Sequence, residues 1–584
     1  MARYDTIIKG GTIVDGARTP RYVSDIAIKD GKIAQIGGLK GSSADKVLDA
    51  SGLIVAPGFV DLHTHYDAQI QWDPYCSVSG WHGVTSLVLG NCGFGFAPCK
   101  PEFRQRAMLA LTRTEAIPLK AMQAGMLWDW VTFPEFLDSL DRIPKGLNII
   151  TYVALTPIYA WVMGWEEAKQ RRPTKAELDK MCQLLHEAMD HGACGWSAQV
   201  RPGSLEGGNA QLDYDGTPMI TDLMTEEEML AFGRVLAERD EGFIELSYRA
   251  VGEAYRERGD DEGGGAATKK FFEKLAEVSG RPILYQTVAT NTRNVEQHRE
   301  DLRWLADCAR RGLRVYGQGS TNQGGQELTL EDYNLFDDVP SWRAVTMGTP
   351  AERKAQMQDP ELRNQLREDW DAGIRPGQNI QGSVAGLICQ GVGDPEFAHY
   401  EGMTVGAIAE KENKHIVDAF LDLVVADDLK TEFEAKQYRD NAQYTAEVLH
   451  SPHVVAGLSD GGAHLKFLSN GGFPTQHLTW LVRDEQVVSL EEMHYKLSYL
   501  PAHIAGFKDR GFLREGAPAD IVMYDLDKLK VLPTTIAHDL PGGEWRRITM
   551  GEGYRWIMVN GEVTFEDGKP TGALPGKLLR HGRG

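Results

Sequence analysis

Residues 56–65, APGFVDLHTH, combine a short apolar run with two histidines separated by one residue. In an extended segment, residues i and i+2 point to the same side, so His63 and His65 can present two imidazoles to one metal ion. Barrel enzymes place their sites at the carboxyl ends of such strands. A histidine pair at a strand end is also compatible with two ordinary hydrogen-bonded side chains, so the surrounding sequence has to decide between the two interpretations.

Beyond this stretch, apolar runs of strand length alternate with amphipathic segments of helix length from about 58 to 507. This alternation is typical of βαβ units, and eight strand candidates predict an α/β fold, a (β/α)8 barrel. Helices over 174–191 and 225–240 are indicated most clearly, because each opens with the spacing of a capping box. The strand candidates are 58–61, 85–89, 148–153, 193–197, 243–246, 282–285, 313–316 and 454–458.

The two ends of the chain have a different pattern, with short β-branched runs separated by Asp-Gly and Asn-Gly turns. This pattern predicts antiparallel hairpins at both ends. Between the seventh and eighth strand candidates, the stretch at about 320–450 is charged and weakly patterned. We expect it to be an insertion over the mouth of the barrel, where loops carry function.

The composition excludes several classes of protein. The 584 residues include 62 Lys and Arg against 83 Asp and Glu, a net charge of −21, which disfavours nucleic acid as a partner. No stretch approaches about 18 uninterrupted apolar residues, so no membrane span is expected. Seven scattered cysteines do not suit a disulfide framework and fit a reducing compartment. We therefore expect a cytoplasmic protein.

Four stretches, 56–65, 83–93, 457–464 and 511–522, resemble the amidohydrolase superfamily. The second of them, GVTSLVLGNCG, is similar to the N-acyl-D-amino-acid deacylase (D-aminoacylase) branch, in which a cysteine at the second strand replaces the bridging lysine used elsewhere. The resemblance covers nearly the whole chain except the insertion. It implies a metal-dependent barrel over 58–507 and a composite β-sandwich formed by 1–57 and 508–584.

The resemblance also implies a zinc site. His63, His65 and Cys92 are carried over as metal ligands, and Asp460 as a ligand that takes a proton from the attacking water. In the implied reaction metal-bound hydroxide attacks an amide, and Asp460 then returns the proton to the leaving amine. Zinc accepts imidazole, thiolate and carboxylate ligands, so these residue types suit it. Taken alone, Cys92 would be interpreted as a buried small hydrophobe and Asp460 as a turn residue.

The sequence departs from the family at the fifth and sixth strands, where the family normally supplies further histidines. Here the stretches read FIELSYR at 243–249 and ILYQTVA at 283–289, and Ser247 and Thr287 stand in the corresponding places. Neutral hydroxyls are poor zinc ligands, so we expect one zinc ion per chain rather than two, with another divalent metal as the alternative. Glu245 is either an additional oxygen ligand or an ordinary surface or helix-capping carboxylate.

Three further residues are candidates for contact with substrate. His464, four residues beyond Asp460, is predicted to polarise the substrate carbonyl or to bind the leaving group, with a plain supporting histidine as the alternative. Tyr248 and Arg249 are predicted to bind a substrate carboxylate, which arginine can hold with two parallel hydrogen bonds.

The interpretation that follows is a metal-dependent hydrolase that cleaves a C–N bond in an N-acyl amino acid or a related amide. The expected partner is this small-molecule substrate, and a homo-oligomer is compatible with the resemblance. Because a fold does not determine the bond that is cleaved, a cyclic amide, a lactone, a carbamate or a lyase step remains an alternative. A non-catalytic scaffold of the same fold is the alternative outside enzymes.

Overall fold

The structure of the protein is a computed structural model. It describes residues 3–201, 212–249, 262–290, 292, 294–323, 325–331, 336, 339–376, 383–435, 440–467 and 470–581. Across these ranges, no helix combines the length and the apolar character that crossing a membrane requires.

Eight parallel strands form the barrel, as predicted. Neighbouring strands pair in sequence order, for example with Ser197 of the fourth strand opposite Glu245 of the fifth. A bridge between Thr64 and Gly461 joins the segments that follow the first and the eighth strand. All eight carboxyl ends therefore meet at one mouth. The strands are Phe59–Asp61, Val84–Leu89, Asn148–Thr151 continued by Val153–Ala154, Gly195–Val200, Phe243–Tyr248, Ile283–Ala289, Val315–Ser320 and Val454–Val455.

The two helices predicted from capping boxes are confirmed. Lys175–Asp190 begins after Thr174, whose hydroxyl accepts a hydrogen bond from the Glu177 N–H while the Glu177 carboxylate accepts one from the Thr174 N–H. Glu226–Arg239 begins after Thr225 in the same way. Further α-helices are Arg104–Thr114, Leu119–Gly125, Phe133–Arg142, Leu155–Met163, Trp165–Gln170, Glu262–Ser279, Val295–Arg310, Pro340–Thr346, Pro350–Gln358, Pro360–Asp371, Val405–Glu412, Ile416–Ala426, Ala442–His450, Phe473–His477, Leu490–His494 and Leu500–Ile504.

Strands from both ends of the chain share one sheet of nine strands. Ile54–Pro57, which leads into the first barrel strand, pairs with Ile521–Tyr524 from the far end of the chain. Val55 and Ile521 are fully buried in the core of this sheet. We propose on this basis that the two β-rich ends form one domain with the bounds expected above. The other strands at the two ends are Arg3–Ile13, Tyr22–Lys29, Lys32–Ile36, Ser43–Asp49, Lys530–Val531, Thr535–Ala537, Arg546–Ile548, Gly551–Glu552, Tyr554–Val559, Glu562–Glu566 and Lys569–Pro570.

A buried histidine ties the barrel to the strands of the C-terminal end. His82 lies in the turn before the second barrel strand, and its Nε2 donates a hydrogen bond to the Thr549 carbonyl at 2.9 Å. Its Nδ1 is therefore the acceptor for the Thr475 hydroxyl at 2.7 Å. Burial lowers the pKa of His82 to about 4, so the ring is neutral near pH 7.

The segment between the seventh and eighth barrel strands contains its own antiparallel sheet, formed by Gln326–Leu328, Ile388–Gly391 and Glu432–Ala435. The hydrophobic core around this sheet also includes Ala116 and Phe467, which belong to the loops of the barrel mouth. Because the Phe467 ring packs against the ring of His464, the insertion lies beside the predicted site. We propose that it controls access to that site.

Candidate metal centre

Three of the predicted ligands lie together at the mouth of the barrel. Ligand atoms of His63, His65 and Cys92 are all within 4.8 Å of one another. All three residues are buried, with at most 7% of their surface exposed. Cys92 Sγ lies 3.4 Å from His63 Nε2. Two imidazoles and one thiol are thus available to a single ion.

A tight turn after the second strand positions Cys92. Cys92 has a φ of 56°, between Gly90 and Gly93, which both have a φ of 77°. At Gly93 a Cβ atom would lie 3.1 Å from the Ala198 Cα of the fourth strand, so only glycine lets the turn approach that closely. Cys92 N–H donates to Glu245 Oε2 at 2.8 Å, which fixes the turn against the fifth strand.

Asp460 reaches the same cluster from the loop after the eighth strand. Its Oδ1 lies 3.1 Å from His63 Nε2 and 3.7 Å from His65 Nε2. The neighbouring Ser459 hydroxyl donates to the His63 carbonyl at 2.8 Å, which holds this loop against the first strand. The Asp460 side chain is 17% exposed, so it lies between the buried ligands and the open mouth.

The charges of the cluster stabilise one another. Burial disfavours a charged His63, but Cys92 and the Asp460 carboxylate raise the pKa of this imidazole well above its usual value. Burial also works against a charged Asp460, yet His63 and His65 hold the pKa of this carboxyl well below its usual range. The anionic ligands therefore favour positive charge at this position, which is what a divalent cation supplies.

Amides from the sixth and seventh strands contact the other side of His63. Gln318 Oε1 lies 3.2 Å from His63 Nδ1, and the Gln286 amide contacts the same ring atom. These contacts hold the ring so that Nε2 faces Cys92 and Asp460, as outer contacts of metal-binding histidines usually do. The sequence interpretation had not singled out either glutamine.

Glu245 faces the cluster from the fifth strand and is fully buried, so the surface interpretation of this residue is wrong. Its Oε1 lies 3.9 Å from His63 Nδ1 and has no hydrogen-bond partner in the described part of the chain. Burial raises the pKa of this carboxyl. Glu245 therefore supports the cluster through Cys92 and stays a candidate oxygen ligand.

A second buried carboxylate, Glu115, was missed by the sequence interpretation. Its Oε2 lies 3.8 Å from His65 Nε2 and 3.5 Å from His464 Nε2, and neither carboxylate oxygen has a hydrogen-bond partner among the residues described. The His464 N–H donates to the Glu115 carbonyl at 2.6 Å. Glu115 thus connects His464 to the metal cluster. It follows a helix in a loop, and its sequence context carries no motif that would have identified it.

The prediction for Tyr248 needs correction, because the structure does not bring it to the cluster. Its hydroxyl donates to Glu226 Oε1 at 2.9 Å, and its ring packs edge-on against Phe271 of an outer helix. Successive residues of a strand point to opposite faces, so Tyr248 points outward where Glu245 and Ser247 point inward. Arg249, just beyond the strand, is exposed, and its role as a carboxylate contact stays a prediction.

The donor set fits zinc. Thiolate, imidazole and carboxylate side chains from three separate strand ends converge within one buried cluster, and Asp460 leaves one side towards the mouth. Buried sites of this kind that keep one open side are typical of catalytic zinc.

Comparison with known proteins gives the family of this chain. The profile of the amidohydrolase family matches residues 46–565. The N-acyl-D-aspartate deacylase of Alcaligenes xylosoxydans xylosoxydans is 34% identical over 603 residues, covering 100% of this chain and 96% of that protein. The N-acyl-D-glutamate deacylase of the same organism is 26% identical, covering 99% and 97% of the two chains.

Solved structures share the fold. The N-acyl-D-glutamate deacylase of Bordetella bronchiseptica, solved with zinc and a phosphonate inhibitor, superposes with a TM-score of 0.66 at 21% identity, over 99% of this chain and 100% of the other. A D-aminoacylase structure gives a TM-score of 0.65 at 21% identity, with 99% of both chains covered. At this identity the likeness supports the barrel and sandwich architecture. The family match over residues 46–565 and the full-length similarity to the N-acyl-D-aspartate deacylase show that the chain belongs to the amidohydrolase family and is a metal-dependent hydrolase of carbon–nitrogen bonds.

Proposed function

We propose that the protein hydrolyses the amide of an N-acyl amino acid, with one zinc ion held by His63, His65, Cys92 and Asp460. The observation that carries the proposal is the convergence of these four side chains, with Asp460 Oδ1 3.1 Å from His63 Nε2 at the open side of the cluster. When bound, zinc supplies a Lewis acid that polarises a carbonyl and lowers the pKa of water.

The protein side chains would perform the proton transfers. Charged histidine neighbours hold the pKa of Asp460 well below its usual range, and a bound zinc ion would favour the carboxylate in the same way, so Asp460 can accept a proton from the attacking water. The same carboxyl would return that proton to the leaving amine. His464, whose Nε2 lies 3.5 Å from Glu115 Oε2, would donate a hydrogen bond to the carbonyl oxygen during the attack of water, when negative charge develops on that oxygen.

The relatives suggest the class of amino acid. The N-acyl-D-aspartate deacylase aligns over the whole chain, so we propose an N-acyl-D-amino acid with an acidic side chain as the first substrate to test. We also propose a cytoplasmic, reducing location, because none of the seven cysteines is disulfide-bonded.

The test is to measure zinc content and hydrolysis for the wild type and for Asp460→Asn, with N-acetyl-D-aspartate, N-acetyl-D-glutamate and their L-enantiomers. We expect about one zinc per chain, release of the free D-amino acid, and a loss of at least about 100-fold in kcat for the variant. A chelator should abolish the wild-type activity and added zinc should restore it.

Two results would overturn the proposal. If the zinc-loaded wild type releases no amino acid from any of these substrates while it opens a cyclic amide or a lactone, the substrate class is wrong. If Asp460→Asn keeps the full kcat, the proton acceptor is another residue.

A further inference from the structure

The fourth and fifth barrel strands line the wall of the mouth beside Cys92. They pair with Ser197 opposite Glu245 and with Gln199 opposite Ser247. Ser197 Oγ accepts a hydrogen bond from the Gly93 N–H at 3.0 Å, and Glu245 accepts one from Cys92, so this pair points into the barrel. Because side chains alternate along a strand, Gln199 and Ser247 point the same way, one step nearer the mouth.

This wall presents hydrogen-bond donors. Gln199 is 3% exposed, and its Nε2 has no hydrogen-bond partner within the described ranges. Arg201, two residues beyond Gln199, donates from Nη2 to Ser247 Oγ at 3.3 Å. The Arg201 guanidinium has donors and no acceptor. Leaving the buried Gln199 amide donor unpaired costs free energy, which a hydrogen-bond acceptor on a ligand would recover.

The backbone of Arg201 is anchored where the chain leaves the fourth strand. The Arg201 N–H donates to Asp222 Oδ1 at 2.9 Å, which anchors the chain as it leaves the strand. Burial lowers the pKa of Arg201 and the neighbouring Arg249 adds to this effect, while Asp222 opposes it. Arginine remains charged despite such a shift, so a positive charge stands at Ser247, two residues along the strand from Glu245.

We propose that Arg201, Gln199 and Ser247 form a subsite for a carboxylate of the substrate, on the side of the mouth formed by the fourth and fifth strands. The inference rests on the proposed function and adds to it the residues that select an anionic substrate. The carboxylate would accept hydrogen bonds from Arg201 and from the Gln199 amide, while the Ser247 hydroxyl orients the guanidinium. The same positive charge disfavours a second metal ion at this wall.

The test is calorimetric binding and steady-state kinetics with Arg201→Gln, Arg201→Lys and Gln199→Leu, all loaded with zinc. The probes are N-acetyl-D-aspartate, its α-carboxamide, and N-acetyl-D-asparagine, which lacks the side-chain carboxylate. We expect Arg201→Gln to raise Kd and KM for N-acetyl-D-aspartate by about 10- to 100-fold, with kcat changed much less.

Each of the other two probes lacks one of the two carboxylates of N-acetyl-D-aspartate. The probe that lacks the carboxylate bound by the subsite should bind to the wild type and to Arg201→Gln with the same affinity, which identifies that carboxylate. Arg201→Lys should recover part of the affinity, and Gln199→Leu should show a smaller rise in KM.

Arg142→Gln is the matched control, because Arg142 is 60% exposed and pairs with Asp129 on the surface. Unchanged zinc content and unfolding temperature separate a binding effect from misfolding. The inference is overturned if Arg201→Gln weakens all three probes equally, if it weakens none, or if Arg249→Gln alone gives the selective loss. If the wild type hydrolyses none of the probes, the proposed function fails, and the calorimetric arms still decide whether the carboxylate subsite exists.

Discussion

The two sides of the barrel mouth use the same geometry for opposite chemistry. On the side of the first, second and eighth strands, which we call the metal wall, His63, Cys92 and Asp460 present lone pairs and negative charge. On the side of the fourth and fifth strands, which we call the donor wall, Gln199 and Arg201 present N–H groups and positive charge. Lone pairs attract a cation and N–H groups attract an anion, so we propose that the metal ion and the substrate carboxylate are held by separate walls.

The two walls are also supported differently. The second strand, which leads to Cys92, is fixed through His82 to strands of the C-terminal end. The fifth strand, which carries Glu245 and Ser247, follows the capped helix Glu226–Arg239. Variants of these supports and of the walls themselves should therefore have separable effects.

The largest expected effect comes from Cys92→Ala, which removes the thiolate from the metal wall. We expect zinc to be lost or bound much more weakly, and kcat/KM to fall by at least about 100-fold. Loss of a metal ligand should reduce metal affinity and activity at least as much as loss of a residue that only hydrogen-bonds to a ligand. Elemental analysis and kinetics measure both effects. Cys308→Ala, at a buried cysteine of the helix Val295–Arg310, is the control and should keep its zinc. Retention of full zinc by Cys92→Ala would contradict the assignment of the metal wall.

Acid should weaken the support of the metal wall. The pKa of His82 is about 4 in the folded protein, below its ordinary value near 6.5, so the unfolded chain binds the proton more strongly. The stability that His82 contributes is present above about pH 6.5 and is lost as the pH falls towards 4. Between pH 7 and pH 5 this amounts to about 2 kcal/mol. Denaturant unfolding of the wild type and of His82→Gln measures it, and the variant should lose less stability over that interval. Equal losses in the two proteins would show that His82 is not the responsible group.

Replacing the Ser247 hydroxyl of the donor wall by an imidazole, which can bind a metal ion, should weaken anion binding. Ser247→His places an imidazole beside Glu245 and removes the hydroxyl that orients Arg201. We expect KM for N-acetyl-D-aspartate to rise about tenfold and the metal content to exceed that of the wild type. Ser247→Ala is the control, which should raise KM without adding metal. An unchanged KM in both variants would separate Ser247 from substrate binding.

The smallest expected effect comes from the cap of the helix that precedes the fifth strand. Thr225→Ala removes the hydroxyl that accepts the Glu228 N–H and should lower the free energy of unfolding by about 1 kcal/mol. Thr225→Ser keeps that hydroxyl and should stay close to the wild type. Zinc content should be the same in all three proteins, because no metal ligand changes. A loss of zinc in Thr225→Ala would mean that the two walls are not independent.

The parts that could be predicted from the sequence depend on local patterns. The capping boxes at Thr174 and Thr225 bring together residues three positions apart, so both helices were predicted close to their observed bounds. His63 and His65 share a side because they alternate along one extended segment. Cys92 and Asp460 were found through the resemblance of their surrounding motifs, and the structure brings them to the same cluster.

The parts that were missed depend on contacts between distant segments. Alternation along the fifth strand says that Glu245 and Tyr248 point to opposite faces, but only packing against Phe271 shows that the Tyr248 face is the outer one. Glu115 reaches His464 across 349 positions of sequence, and no local pattern marks such a pair. The sequence by itself thus determined the barrel strands, the capped helices and the types of ligand. The tertiary structure alone decided which face is inside and which charges meet, because these depend on burial and on distances that no single segment contains.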